Sequence, residues 1–217
     1  MVSRRTLAIG AVLAVVGISW ALTPGAPRAA APTSGQRIIA FGDSLVEGRG
    51  ATPGKDFVSL LARRLGEPIE NAGRSGDTTG SALARLDQDV LSRNPRIVIV
   101  LLGGNDFLRR VPTADTFRNL STIVERIRAR GAAVVLVGVS VGLISDSYDD
   151  EYERLARRMS AGLVPDILDG ILGRRDRMSD AIHPNDERVS TDGRTPRTRR
   201  PQFGPALTAG RPHLRQE

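Results

Sequence analysis

A chain of 217 residues with 40% hydrophobic side chains has room for one ordinary domain with terminal extensions, and enough apolar material for a core. The absence of cysteine excludes disulfides, thiolate metal sites and a cysteine nucleophile, and with only His183 and His213 a histidine-dependent mechanism has almost no choice of base. The net charge of +7 belongs to the ends, three Arg and no acid in residues 1–35 and seven Arg against Asp192 and Glu217 in 188–217, so the near-neutral stretch between them gives no support to a nucleic-acid partner.

Residues 1–35 read as a targeting segment. Arg4 and Arg5 precede an apolar run from Leu7 to Leu22, followed by a Pro/Ala/Gly stretch through Ala31, the order of a secretory signal. Cleavage near Ala29-Ala30-Ala31 and retention as an N-terminal membrane anchor both remain open, since the run is only somewhat shorter than the roughly 20 residues that span a bilayer.

From Gln36 to Glu187 strands and helices alternate. Arg37–Phe41 is a short β-branched run and predicts a strand. The motif Phe41-Gly42-Asp43-Ser44-Leu45 follows directly. A serine there sees free backbone N–H groups at a helix start, although Asp and Ser are also ordinary helix caps. Phe57, Leu60, Leu61 and Leu65 recur at helical spacing and Gly66 ends the element. A short strand then leads to Asn71 and to the loop Asn71-Ala72-Gly73-Arg74-Ser75-Gly76-Asp77-Thr78, which can present an N–H to an oxyanion or be merely a loop.

Leu83, Leu86, Val90 and Leu91 mark a second helix that ends before Pro95. Ile97–Leu102 is a continuous apolar run, as expected of a strand buried on both faces. It ends in Gly103-Gly104-Asn105-Asp106, either a tight turn or a means of pointing the Asn105 amide at the same crevice. Thr113 can cap a helix carrying Phe117, Leu120, Ile123, Val124 and Ile127 up to Gly131. Ala133–Val137 is another buried strand, Tyr152–Met159 a polar helix, and Ile167–Leu172 a short element. This alternation predicts a parallel sheet covered by helices on both faces, with chemistry at the carboxyl ends of its strands.

The last motif is Asp180-Ala181-Ile182-His183-Pro184-Asn185. An Asp three residues before a His on a loop lets the carboxylate fix the imidazole tautomer. A surface turn accounts for it too, and a metal pair lacks a third ligand. From Arg188 onward the apolar periodicity stops and the text becomes Arg, Pro, Thr and Gly. Such a tail cannot bury enough surface to offset its ordering entropy. Back-translated and read one nucleotide later, the same stretch can encode an amphipathic helix, so a frameshift stands beside a genuine disordered basic tail.

Together these four blocks resemble the GDSL/SGNH hydrolase family, most closely its thioesterase I/lysophospholipase L1-like, or arylesterase, branch. The likeness spans about Arg37 to Asn185, with all four blocks in family order and at strand ends. The resemblance implies a three-layer α/β/α fold with a central parallel sheet, of flavodoxin-like type. It implies Ser44 as nucleophile, His183 as general base, Asp180 as its orienting partner, and an oxyanion hole of the Ser44 N–H, the Gly76 N–H and the Asn105 amide. It further implies hydrolysis of a small ester, thioester or lysophospholipid through an acyl-enzyme, without metal or cofactor. Asp43 and Asp77 are expected to brace their loops, and a monomer is the default. The family continues past Asn185 into a Gly-containing turn and a final helix; here the match stops at about Arg188.

Three other readings compete with this one. Gly138-Val139-Ser140-Val141-Gly142 fits the nucleophile elbow of α/β-hydrolases, but Leu143–Ser147 does not read as the helix that an elbow opens. Gly50-Ala51-Thr52-Pro53-Gly54-Lys55 is a near miss to a phosphate loop with the wrong spacing. A catalytically impaired envelope module that binds glycan or lipid is the non-enzyme alternative, yet no block lacks its Ser, Asn, Asp or His.

Overall fold

The computed structural model describes residues 29–139 and 145–167. Residues 1–28 of the 1–35 targeting segment, Ser140, the Asp180/His183 motif and the tail from Arg188 lie outside the described residues. Among those described, five strands alternate with helices: β1 (Arg37–Gly42), α1 (Ser44–Glu47), α2 (Phe57–Leu65), β2 (Ile69–Gly73), α3 (Thr79–Asp89), β3 (Pro95–Leu101), α4 (Gly104–Leu108), α5 (Thr113–Ala129), β4 (Ala133–Val137), α6 (Ser145–Met159) and β5 (Gly162–Val164).

The strands form one parallel sheet in the order β2-β1-β3-β4-β5. Its alternating side chains divide two cores. Ile39, Phe41, Val98, Val100, Val134 and Leu136 face α3, α5 and α6, whereas Ile38, Ala40, Ile97, Ile99, Val135 and Val137 face the side carrying Val58 and Leu61 of α2. This period of two explains why the strands read as unbroken apolar runs: each of their faces is covered. The expected layered α/β/α architecture is therefore observed.

The strand order also locates the site. From β1 the chain moves to β2 on one side, then crosses to β3, β4 and β5 on the other. The loops after β1 and β3 consequently diverge and leave a crevice beyond their carboxyl ends, where open α/β sheets bind ligands.

The helix signals were legible to different degrees. α2 runs from an Asp56 cap, whose side chain accepts from Ser59 N, to Gly66 at φ 67°. α3 starts at Thr79, earlier than its first leucine, because Thr78 and Ser81 form a reciprocal capping box. Thr113 does not cap α5: it is the first helical residue after Pro112, and no side-chain cap bond forms there. The polar helix placed at Tyr152 begins at Ser145 and buries Tyr148, Tyr152, Leu155 and Ala156 on one stripe. A helix does therefore follow the Gly138–Gly142 segment, contrary to the sequence expectation. β5 was not anticipated, since three residues are too few to show a period.

A strap precedes β1. Ala30 N–H donates to the Ser160 carbonyl at 2.9 Å, Thr33 N–H to Gly131 at 2.8 Å and Gln36 N–H to Asn94 at 3.1 Å. The chain from Ala30 onward is thus tied to the body of the domain.

Candidate active site

The turn after β1 is built around the absence of a side chain. A Cβ on Gly42 would lie 2.2 Å from the Leu101 carbonyl oxygen, so only glycine lets β1 leave the sheet beside β3 here. Asp43 then caps α1, its Oδ1 accepting from Leu45 N at 3.0 Å. Ser44, the first residue of α1, is only 8% exposed. α1 rests directly on the end of β2, where a Cβ on Gly73 would meet Glu47 N at 2.1 Å. Asn71 fastens the two, donating through Nδ2 to the Val46 carbonyl at 2.6 Å and accepting from Gly73 N at 2.8 Å.

The second loop brings Gly76 and Asp77 over the same end of the sheet. Gly76 sits at φ 80°, in the left-handed region, and its carbonyl accepts from Arg109 Nη2 at 2.8 Å. The Asp77 carboxylate accepts from Ser81 Oγ at 2.9 Å and from Arg85 Nε at 2.6 Å. It braces the loop, as expected of it, and so does Asp43 at α1.

The third loop closes the group. Asn105 in α4 donates through Nδ2 to the Asp77 carbonyl at 3.0 Å and approaches Asp43 Oδ2 at 3.4 Å. The loops carrying Ser44, Gly76 and Asn105 are therefore in mutual contact at the carboxyl ends of β1, β2 and β3. Asp180 and His183 lie outside the described residues. No group of His, Cys, Asp and Glu able to hold a metal occurs among the residues described.

Several residues of this scaffold went unnoticed in the sequence. Asp106, 1% exposed, accepts from Thr79 Oγ1 at 2.6 Å and Thr79 N at 2.8 Å, pinning α4 to the start of α3. Asn119 of α5 continues the chain to Thr79 Oγ1 at 3.1 Å. Asp106 adjoins Asn105 in the third block, so adjacency was its one available signal. Tyr152 donates its hydroxyl to the Leu102 carbonyl at 2.5 Å, just before Gly103. A Cβ on Gly103 would lie 2.3 Å from that hydroxyl, so the β3 exit and α6 fit only with glycine.

Burial pushes the Tyr152 phenol far above its ordinary range, and the nearby Tyr148, Asp43, Asp106 and Asp149 add to the effect. The hydroxyl thus stays a donor at all ordinary pH values. Its raised folded-state pKa leaves stability unaffected below the unfolded value of about 10 and erodes it above, where only the unfolded chain ionises. Tyr152→Phe is expected to cost about 1–3 kcal/mol at neutral pH, because the Leu102 carbonyl loses its donor. Urea unfolding at pH 7 and above pH 10 checks both points: the gap between wild type and variant narrows at the higher pH.

Residues 40–187 match the GDSL-like Lipase/Acylhydrolase family, well over half of the chain. The chain belongs to that family. Among its relatives, Esterase TesA of Pseudomonas aeruginosa is 32% identical over 160 residues, 69% of this chain and 80% of the relative. The Arylesterase of Vibrio mimicus is 34% identical over 169 residues, 73% and 84% of the two chains. The Escherichia coli K12 Thioesterase 1/protease 1/lysophospholipase L1 is 30% identical over 156 residues, covering 68% and 75%. The crystal structure of TesA superposes with a TM-score of 0.67 at 32% identity, over 71% of this chain and 92% of that one. As a GDSL/SGNH hydrolase of the esterase/thioesterase type, this chain acts on small ester-type substrates.

Proposed function

We propose that this hydrolase cleaves carboxylic esters or thioesters through an acyl-enzyme formed on Ser44. The observation that carries the reading is the Asn105 amide, which touches both the Asp77 carbonyl and the Asp43 carboxylate and so joins the three loops around Ser44. An amide nitrogen has two hydrogens. One is well used by Asp77 at 3.0 Å, and the other meets Asp43 only at 3.4 Å. The second is the hydrogen that a developing oxyanion would draw away.

In the proposed sequence Ser44 Oγ attacks the carbonyl carbon while His183, oriented by Asp180, takes the hydroxyl proton. A serine hydroxyl is a weak nucleophile without such a base. The tetrahedral oxyanion is held by the Ser44 N–H, the Gly76 N–H and the Asn105 amide. Collapse expels the alcohol or thiol, which takes the proton from the imidazole. Water, deprotonated by His183, then releases the acid and restores Ser44. Small esters, thioesters and lysophospholipids are the substrate class, in keeping with the names of the relatives.

Export is part of the same proposal. Arg4, Arg5 and the apolar run Leu7–Leu22 support it.

Partitioning of the acyl group tests the mechanism. With water and methanol competing, acetate esters of different phenols pass through one acetyl-enzyme, so the ratio of acetate to methyl acetate is expected not to change with the leaving group. A ratio that varies with the phenol would rule out a common covalent intermediate.

A further inference from the structure

Arg85 lies near the end of α3 with a side chain only 7% exposed, an unusual place for a guanidinium. All of its nitrogens are engaged. Nε donates to Asp77 Oδ2 at 2.6 Å and Nη1 to Asp89 Oδ2 at 2.8 Å, while Nη2 donates to the Gly42 and Ala72 carbonyls at 3.0 Å each. The guanidinium carbon also stands 4.5 Å from the centroid of the Phe41 ring. A fixed, planar fork is needed to reach two carboxylates and two carbonyls at once, and a lysine ammonium cannot reproduce it.

These partners are not scattered. Gly42 is the last residue of β1, two before Ser44, and Ala72 is the register neighbour of Phe41 on β2. Asp77 follows Gly76, and its own carbonyl receives the Asn105 amide. One buried cation therefore holds the backbone at the carboxyl ends of β1 and β2, together with the loop that carries Gly76 and receives the Asn105 amide.

Resting on the Ser44 reading, we propose that Arg85 is a positioning residue for hydrolysis, setting the Ser44 turn against Gly76 and Asn105 without touching the substrate. Errors of about 1 Å in such a constellation cost on the order of 100-fold in rate. Because the Arg85 guanidinium is buried and engaged by protein groups, kcat is expected to fall while KM stays nearly constant.

The test compares Arg85→Lys, Arg85→Met and Asp77→Asn with wild type, each titrated to completion with a fluorophosphonate so that kcat is expressed per competent site. Ile127→Val serves as a destabilised control, since Ile127 lies in the last turn of α5, before β4, at the opposite end of the sheet. A purely structural role lowers melting temperature and the number of titratable sites but leaves kcat per site intact, as in the control. The positioning role predicts a fall of about 100-fold in kcat per site for Arg85→Met, with KM within a few-fold. Arg85→Lys recovers little of the loss, and Asp77→Asn shows a smaller one.

If Arg85→Met does not fold, the other two variants decide by the same criterion. Kcat per site within a few-fold of wild type in the variants that fold overturns the proposal. Ser44→Ala, run in parallel, separates the two levels: full activity in that variant refutes the reading of the site, whatever Arg85 does.

Discussion

Ser44→Ala is expected to lower the hydrolysis of an activated ester such as p-nitrophenyl butyrate by about 10⁴-fold or more, in a protein that still folds. The proposed acyl-enzyme has no other acceptor at the end of β1. The substitution removes one oxygen from a residue that is 8% exposed, and alanine is compatible with the first position of α1. The melting temperature is accordingly expected to change little. Initial rates at saturating substrate, together with thermal unfolding, check the two halves of this statement. Residual turnover above the uncatalysed rate reflects the oxyanion donors acting on water alone.

Asn105→Ala carries the next largest effect, about 10²–10³-fold in kcat, as for the loss of one preorganised oxyanion donor. Two contributions act together here. The variant lacks the amide hydrogen proposed to meet the oxyanion, and the Asp77 carbonyl loses its 3.0 Å donor, which loosens the loop carrying Gly76. KM is expected to move only a few-fold, because the interaction strengthens as the carbonyl becomes tetrahedral. A Michaelis analysis over a series of acyl chain lengths measures this: the kcat loss is expected to be the same for each chain, since the oxyanion is common to all.

β3 and β4 were readable because each is a long enough and apolar enough run to predict a covered strand. Ile97–Leu102 and Ala133–Val137 are buried on both sides, and nothing but a covered parallel strand accommodates such runs. α2 was readable from its apolar spacing and from Gly66 at its end, whereas the Asp56 cap is seen only in the structure. β5 and the first turns of α6 were not. Gly162–Val164 is too short to show alternation, and the Ser/Asp-rich start of α6 reads as loop until the packing of Tyr148 and Tyr152 against Phe117 is seen.

In the site, the blocks after β1 and β3 stood out because each ends an apolar run with Gly, Ser, Asn or Asp, and the blocks around Gly76 and His183 stood out by their Gly, Asp and His content. The groups that hold them in place did not. Arg85 sits one position from the buried Leu86, where a charged residue is ordinarily taken to reach solvent. Tyr152 belongs to a helix so polar that its buried stripe is hidden. Long-range hydrogen bonds such as Arg85 to Gly42 and Tyr152 to Leu102 span 43 and 50 residues, and no local pattern encodes them.

The central claim is that Ser44 is an activated nucleophile, and the most direct measurement is labelling of residues 29–217 with a fluorophosphonate, followed by intact mass and peptide mapping. The account predicts a single adduct, on Ser44, lost in Ser44→Ala. An adduct on Ser140, or folded protein that takes up no probe, would contradict it.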